Sequence, residues 1–480
     1  MNYTKLLFRI DINPYLVLFT LCLVKYIYMI GKPDLVVIGG GLAGCEAAWQ
    51  AAIRGCKVAL YEMRPIVMTG AHVSSDLAEL VCSNSLGSDL LVKANGLLKH
   101  ELRKLKSLLI SCADDTAVPS GTSLSVDRKR FSELVTHGIT ECKNIQVIRE
   151  EVENIPDIPT IIASGPLTSE KLARSIGRLT HQEHLYFFDA ISPIVTYDSI
   201  NMDVAFRASR YNTDEGDYIN CPFDKDSYYE FVKEVCDAQR MNIRTMDEPV
   251  IQGVKAGKTA FFEGCLPIEV LAKRDSLALA YGPMKPIGLK DPRSGLRPYA
   301  VVQLRQDNIA GSLYNMVGFQ TNLKYSEQER IFRMIPGLED AVFERFGHMH
   351  RNTYIYSPAL LYPTLQYKHR EDLFFAGQIT GVEGYAGNIA SGWLAGINAS
   401  RIINNLPPVE LPPETMGGAL CQYIAHAAEK DFQPMKANFG LLISQVEIQP
   451  DLVKRERNNR TERNRLLSNH SLEILDEFYE

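Results

Sequence analysis

From Asp34 to about Tyr186 the chain alternates short apolar runs with helically spaced ones. That rhythm predicts parallel strands joined by crossover helices. Leu35 to Ile38 is unbroken apolar sequence, as in a strand buried on both faces, and Lys57 to Tyr61 reads as a second strand. Between them Leu42 to Arg54 carries the spacing of a helix, and Pro159 to Gly165 reads as a strand ending in a small-residue turn. From Asp189 to Pro336 the texture changes to tyrosines, prolines and β-rich runs such as Tyr299 to Leu304. Strand-then-glycine returns at Leu373 to Gln378, and a helix of small residues is predicted over Ile389 to Ile402. Pro407, Pro408, Pro412 and Pro413 mark a linker, and Lys454 to Arg465 mixes arginine with glutamate as a solvated helix or tail does.

The expected fold is α/β. A Rossmann-like domain is split into residues 33–188 and 337–405 around an inserted α+β domain at 189–336, and a C-terminal helical segment with a charged tail follows at 406–480. Residues 1–32 are read as a leader outside the fold, disordered or a non-native upstream extension. Its apolar run, Tyr15 to Val24, is closed off by Lys25, whereas a bilayer span needs roughly twenty apolar residues. No membrane partner is expected.

The turn after the first strand gives the fold a chemistry. Gly39, Gly40, Gly41, Leu42, Ala43 and Gly44 contain the pattern G-x-G-x-x-G, placed between strand and helix. In such a turn Gly39 allows the bend, Gly41 lets backbone approach a pyrophosphate, and Gly44 allows helix to lie on strand. Glu62, about twenty residues on, is placed to accept from ribose hydroxyls. The helix start at Leu42 points free N–H groups and a positive dipole end at phosphates. Gly165 and Gly377-Gln378 close later strands where backbone can also approach a cofactor.

Composition narrows the partners. A net charge of −6 gives no global basic field, so a nucleic acid would need a local patch. Ten cysteines without a C-x-x-C pair fit reduced thiols in a cytoplasmic protein, not a disulfide framework or a zinc site. His348 and His350 would share one face of a strand, but no third ligand stands nearby, so no metal is expected.

Two cysteines stand in turn-prone surroundings: Cys82 in Glu79-Leu80-Val81-Cys82-Ser83-Asn84-Ser85, and Cys265 in Phe262-Glu263-Gly264-Cys265-Leu266-Pro267. A single cysteine is more often a small buried hydrophobe than a nucleophile, and adjacent glutamates disfavour a thiolate unless a cation offsets them.

Taken together, these motifs resemble the folate- and FAD-dependent tRNA uracil-5-methyltransferases, the TrmFO family. The resemblance runs from Pro33 to Leu442. It rests on Gly39 to Gly44, the two cysteine motifs, Gly96-Leu97-Leu98-Lys99, Val126-Asp127-Arg128, Gly282-Pro283-Met284-Lys285-Pro286 and Ala376 to Tyr385. The chain departs from it at Gly387-Asn388, where the family usually carries Glu-Ser.

The resemblance implies bound FAD, 5,10-methylenetetrahydrofolate as carbon donor, and NADH or NADPH as reductant of the flavin. The substrate would be the T-arm of tRNA and the product 5-methyluridine at its position 54. It implies Cys265 as the nucleophile and Cys82 as base or one-carbon partner beside the flavin, with the two roles exchangeable. Arg103, Lys104, Lys106, Lys285 and Arg351 are the basic residues expected to meet phosphates. An NAD(P)H-linked flavin oxidoreductase acting on a small molecule is the alternative; it explains the glycines but leaves both cysteine motifs unused.

Overall fold

The computed structural model describes residues 32–181, 185–210, 216–241, 266–428, 432–445 and 459–479. In chain order the first part holds β1 (Leu35–Ile38), α1 (Leu42–Ala52), β2 (Val58–Glu62), β3 (Ser85–Ser88), α2 (Ala94–Lys104) and α3 (Leu108–Asp115). It continues with β4 (Ala117–Val118), β5 (Ser123–Val126), α4 (Arg128–Glu141), β6 (Ile145–Arg149), β7 (Thr160–Ile162) and α5 (Glu170–Thr180). Then come β8 (Leu185–Ala190), β9 (Ile194–Thr196), β10 (Phe206–Arg207), β11 (Tyr218–Phe223), α6 (Lys225–Asp237), α7 (Ile268–Arg274) and α8 (Ala278–Tyr281). The last stretch holds β12 (Ala300–Gln306), β13 (Leu313–Met316), α9 (Tyr325–Phe332), β14 (Phe343–Arg345), β15 (Met349–Tyr354), α10 (Ser357–Leu360), β16 (Leu373–Phe375), α11 (Tyr385–Ile403), α12 (Met416–His426), α13 (Phe439–Gln445) and α14 (Arg460–Tyr479).

Five strands form a parallel sheet in the order β16-β7-β1-β2-β6. The chain leaves β1 toward β2 and β6, then returns to the other side of β1 at β7. The strand order therefore reverses between β1 and β7, and in open α/β sheets ligands bind in the crevice beyond the strand ends at such a point. One face of the sheet is covered by α1, α11 and their neighbours, the other by a smaller apolar cluster with Leu172, Ile176, Ile355 and Leu361.

A second sheet is antiparallel, β10-β11-β12-β13-β9-β14, with its own apolar core shared with α6, α7 and α9. Arg305, Gln306 and Asp307 at the end of β12 fasten it to the first part. Arg305 Nε donates to Asn84 Oδ1 at 2.9 Å, Asn84 Nδ2 donates to the Gln306 carbonyl at 2.9 Å, and Arg128 pairs with Asp307 at 3.1 Å.

Two elements differ from their sequence reading. The small-residue helix α11 begins at Tyr385, four residues before the expected Ile389, because Gly384 at φ +92° makes the turn into it. The arginine-rich stretch, as far as it is described, is part of a docked helix. In α14 Leu467 and Leu475 are buried in the main core, Asn464 Nδ2 donates to the Val92 carbonyl and Ser468 Oγ to that of Leu91. Its leucines alternate with charges at a spacing that buries one narrow stripe, a signal that the arginines obscure. Among the described residues no helix is long and apolar enough to cross a membrane.

Glu101 ties this C-terminal part down. Its carboxylate accepts from Ser471 Oγ at 2.6 Å and from the N–H groups of Met416 and Gly417, the uncapped donors at the start of α12, at 2.7 and 3.0 Å. Burial pushes the carboxyl up to about 7, against the pull of these donors. An unfolded glutamate titrates near ~4.3, so between that pH and about 7 the folded chain holds a proton that the unfolded chain has released. The contribution of this group to stability therefore falls as pH rises through that window. Glu101→Gln is expected to flatten that part of the profile, so its urea midpoint should gain on the parent's as pH is raised. A difference between the two that stays constant with pH would contradict the assignment.

Candidate active site

The cleft at the strand reversal is walled by the β1–α1 turn, the ends of β2 and β7, the Ala163–Ser169 segment, Gly377-Gln378 and the start of α11. It spans about 980 Å³ when the solvent at its mouth is counted. Each turn glycine has a distinct reason. Gly39 sits at φ +106°, and a Cβ on it would lie 2.5 Å from the Ala163 carbonyl oxygen. A Cβ on Gly44 would lie 1.8 Å from the Gly39 carbonyl oxygen, so this contact is between backbones. A Cβ on Gly41, the N-cap of α1, would meet nothing within 4 Å, and the residue lines the open cleft. That is the cradle a pyrophosphate needs: uncapped N–H groups with no side chain in front of them.

Glu62, at the end of β2, is buried. Its Oε2 accepts from Gly40 N–H at 2.9 Å, and its Oε1 from Arg64 N–H and Nε at 3.0 and 2.9 Å. Burial alone would raise its carboxyl, but the hydrogen bonds and charge of Arg64 outweigh it and hold the group below its ordinary value. Arg64 is itself buried and reaches on to Glu79 Oε2 at 3.1 Å. Glu79 in turn accepts from Val73 N–H, Ser74 N–H and Ser74 Oγ, which fixes the loop at the cleft edge. A carboxylate has about four acceptor positions, so Glu62 keeps capacity for a ligand hydroxyl.

Cys82 is joined to the cleft through Tyr385. Its N–H and that of Ser83 both donate to Tyr385 Oη, at 3.0 and 3.1 Å. Tyr385 projects from the first turn of α11 into the same cleft. Burial and the neighbouring Cys82 push its phenol well above the ordinary range, so it stays neutral. Arg128 donates to the Leu80 carbonyl, and Arg305 donates to Ser83 Oγ at 2.6 Å; both guanidiniums interact electrostatically with Cys82.

Of the residues singled out from sequence, Gly39, Gly40, Gly41, Leu42, Ala43, Glu62, Gly165, Gly377 and Gln378 line one cleft. Gly44 does not reach it and serves the helix–strand contact instead. Cys82 borders it through Tyr385, and Cys265 lies outside the described residues. Among the basic candidates Arg103 pairs with Asp89 and Asp114, and Lys104 with Asp476. Lys285 is exposed, while the side chain of Arg351 is outside the description. Among the described residues no cluster of His, Cys, Asp and Glu is suited to a metal ion. Sequence reasoning gave no role to Arg64, Arg128, Arg305 or Asn388. Arg128 and Tyr385 sit in recognised motifs, but what each touches is set by pairings across the chain.

The family model described as "Glucose inhibited division protein A" matches residues 34–407. The crystal structure of Aquifex aeolicus GidA shares the fold, with a TM-score of 0.64 at 17% identity, over 93% of this chain and 76% of that one. The fold and cleft thus place the molecule among GidA-like proteins. Within that class, a methylenetetrahydrofolate–tRNA-(uracil-5-)-methyltransferase TrmFO of Bacillus pumilus is 53% identical over 85% of this chain and 91% of its own. Another protein of that name, from Halalkalibacterium halodurans, is 49% identical over 93% of this chain and 98% of its own. The chain belongs to the TrmFO family.

The glycine geometry separates two effects that a sequence motif merges. Gly41→Val places its side chain in the open cleft, so its cofactor-free form should melt close to the cofactor-free parent while it retains FAD at least ~100-fold more weakly. Gly44→Ala forces α1 off β1 and should cost stability by about 1–3 kcal/mol or more, whether or not cofactor is present. Flavin absorbance and thermal melts of the two variants check this, and an unaltered flavin content in Gly41→Val would refute the placement.

Proposed function

We propose that this chain methylates C5 of uridine in tRNA, taking the carbon from 5,10-methylenetetrahydrofolate, with FAD bound in the cleft and position 54 of the T-arm as its target. Membership of the TrmFO family supports the reaction. What supports it in this chain is that Cys82 N–H donates to Tyr385, which lines the same cleft as the β1–α1 glycines.

The residues fit FAD. The start of α1 and the open face of Gly41 suit the pyrophosphate, Glu62 has capacity for ribose hydroxyls, and Gly165 leaves backbone bare on a wall that Gly377 and Gln378 share. Bound FAD, reduced by NADH or NADPH, supplies the electrons that bring the transferred carbon to the methyl level.

The chain's own groups make uracil reactive. C5 of uracil is a poor nucleophile until a thiolate adds to C6 and pushes the electron pair toward C5. The Cys265 thiolate is assigned that addition. Once C5 has gained carbon, its proton must leave. Cys82 is assigned to take it as the new carbon parts from its donor; once that carbon is at the methyl level, the electron pair at C5 re-forms the C5–C6 double bond and expels the Cys265 sulfur. Tyr385, by accepting the N–H groups of Cys82 and Ser83, holds that backbone against the start of α11.

The test is methylation of unmodified tRNA transcripts with methylenetetrahydrofolate as carbon donor, run beside S-adenosylmethionine; only the folate should serve. Cys82→Ala and Cys265→Ala should each retain FAD and lose methylation by several orders of magnitude, roughly the effect of removing a group that acts covalently or as the general base. Only the nucleophile variant should also lose the covalent complex with T-arm RNA containing 5-fluorouracil. Near-normal rates in both variants would favour oxidation of a small molecule instead.

A further inference from the structure

Asn388, the fourth residue of α11, is only 8% exposed and lines the cleft beside Tyr385 and Gln378. Its Oδ1 is fully buried and has no hydrogen-bond partner. A buried acceptor left unpaired is destabilising, and folded proteins rarely leave one without a use. The start of α11 adds donors at the same place. The helix runs 19 residues, Gly384 offers no side-chain cap, and the first-turn N–H groups have no intrahelical partner. A ligand that satisfies both must present a hydrogen-bond donor to Asn388 next to an acceptor for the helix start. A phosphate carries no donor, and the pyrophosphate cradle is at α1. The pyrimidine edge of a flavin ring has this pattern, with N3–H beside a carbonyl, and this end of the cleft is the one that Cys82 borders.

Resting on the assignment of FAD to the cleft, we infer that Asn388 is a flavin-positioning residue whose Oδ1 accepts the ring N3–H and seats the ring against the start of α11. The contact sets which edge of the ring lies at the helix and therefore which part is left facing Cys82. A positive dipole end at that edge also favours the negative charge the ring gains on reduction.

The test compares FAD with N3-methyl-FAD on protein stripped of cofactor. The parent should bind the methylated flavin at least 10-fold more weakly. Asn388→Leu, close in size but without the acceptor, should bind FAD about 10-fold more weakly than the parent does, equivalent to ~1.4 kcal/mol, and should no longer distinguish the two flavins. Its cofactor-free form should melt no lower than the parent's, because the orphaned acceptor is gone. Asn388→Asp keeps an acceptor, so it should retain the preference for FAD while lowering the reduction potential of the bound flavin. Equal binding of both flavins by the parent, or unchanged discrimination in Asn388→Leu, overturns the inference and leaves FAD binding standing. A parent protein that binds neither flavin overturns both.

Discussion

Backbone lies on backbone at the centre of this molecule, and the rest is arranged around that contact. A methyl group on Gly44 would sit 1.8 Å from the Gly39 carbonyl, and methyls on Gly392 and Gly396 would sit 2.3 and 2.4 Å from the carbonyls of Ala43 and Ala47. Helix α1 is therefore pressed against the β1 turn on one side and against α11 on the other, with small residues at each contact. Both helices start at the strand reversal, so the packing that buries them also aims two helix N-termini into one cleft. Larger residues would separate the helices and swing Tyr385 away from Cys82. The contact between Tyr385 and Cys82 thus inherits its geometry from helix spacing.

Charge then secures what packing has brought together. Arg64 lies between Glu62 and Glu79, and Arg128 pairs with Asp307, all nearly or fully buried. Pairs of this kind repay their desolvation only with good geometry and further hydrogen bonds, and removing one partner costs about 3–5 kcal/mol. Here the further bonds exist: Glu62 also accepts from Gly40, Glu79 from Val73 and Ser74, and Arg128 donates to the Leu80 carbonyl. Each pair pins a loop that has little apolar surface of its own. The first fixes the edge of the dinucleotide end, and the second fixes the segment around Cys82.

What the sequence disclosed follows from the range of the interactions. The β1 turn and Glu62 were legible because their chemistry is local: a strand, a bend and a helix start within some twenty residues. Leu373 to Phe375 was legible as a strand, since its apolar run and the glycine after it are local as well. Arg305 was not, because nothing in β12 announces that its guanidinium crosses to Asn84, 221 positions away. Asn388 escaped for another reason. Its neighbours are small helix residues, and only burial without a partner distinguishes it from an ordinary polar side chain. The docking of α14 was hidden by composition, since its charges dominate the stretch while two leucines and two serines make the contact.

The same contact set explains why the C-terminal helix belongs with the site although it stands far from it in the chain. Helix α14 is held on α2 by Ser471 through Glu101 and by Asp476 through Lys104. On its other face α2 supplies Lys99, fully buried, whose Nζ donates to three successive carbonyls, Leu86, Gly87 and Ser88. Those carbonyls belong to β3, the strand that begins three residues after Cys82. A charged amine with its donors spent on backbone carbonyls gives the strand a fixed seat, and burial draws the amine down to about 8 without removing its role as donor. A route for coupling would need an element with two arrangements that both ends bias. Here every member is packed or hydrogen-bonded in one arrangement. The C-terminal helix therefore acts as a brace: it holds α2 from one side, and from the other side of α2 Lys99 seats the strand that follows Cys82.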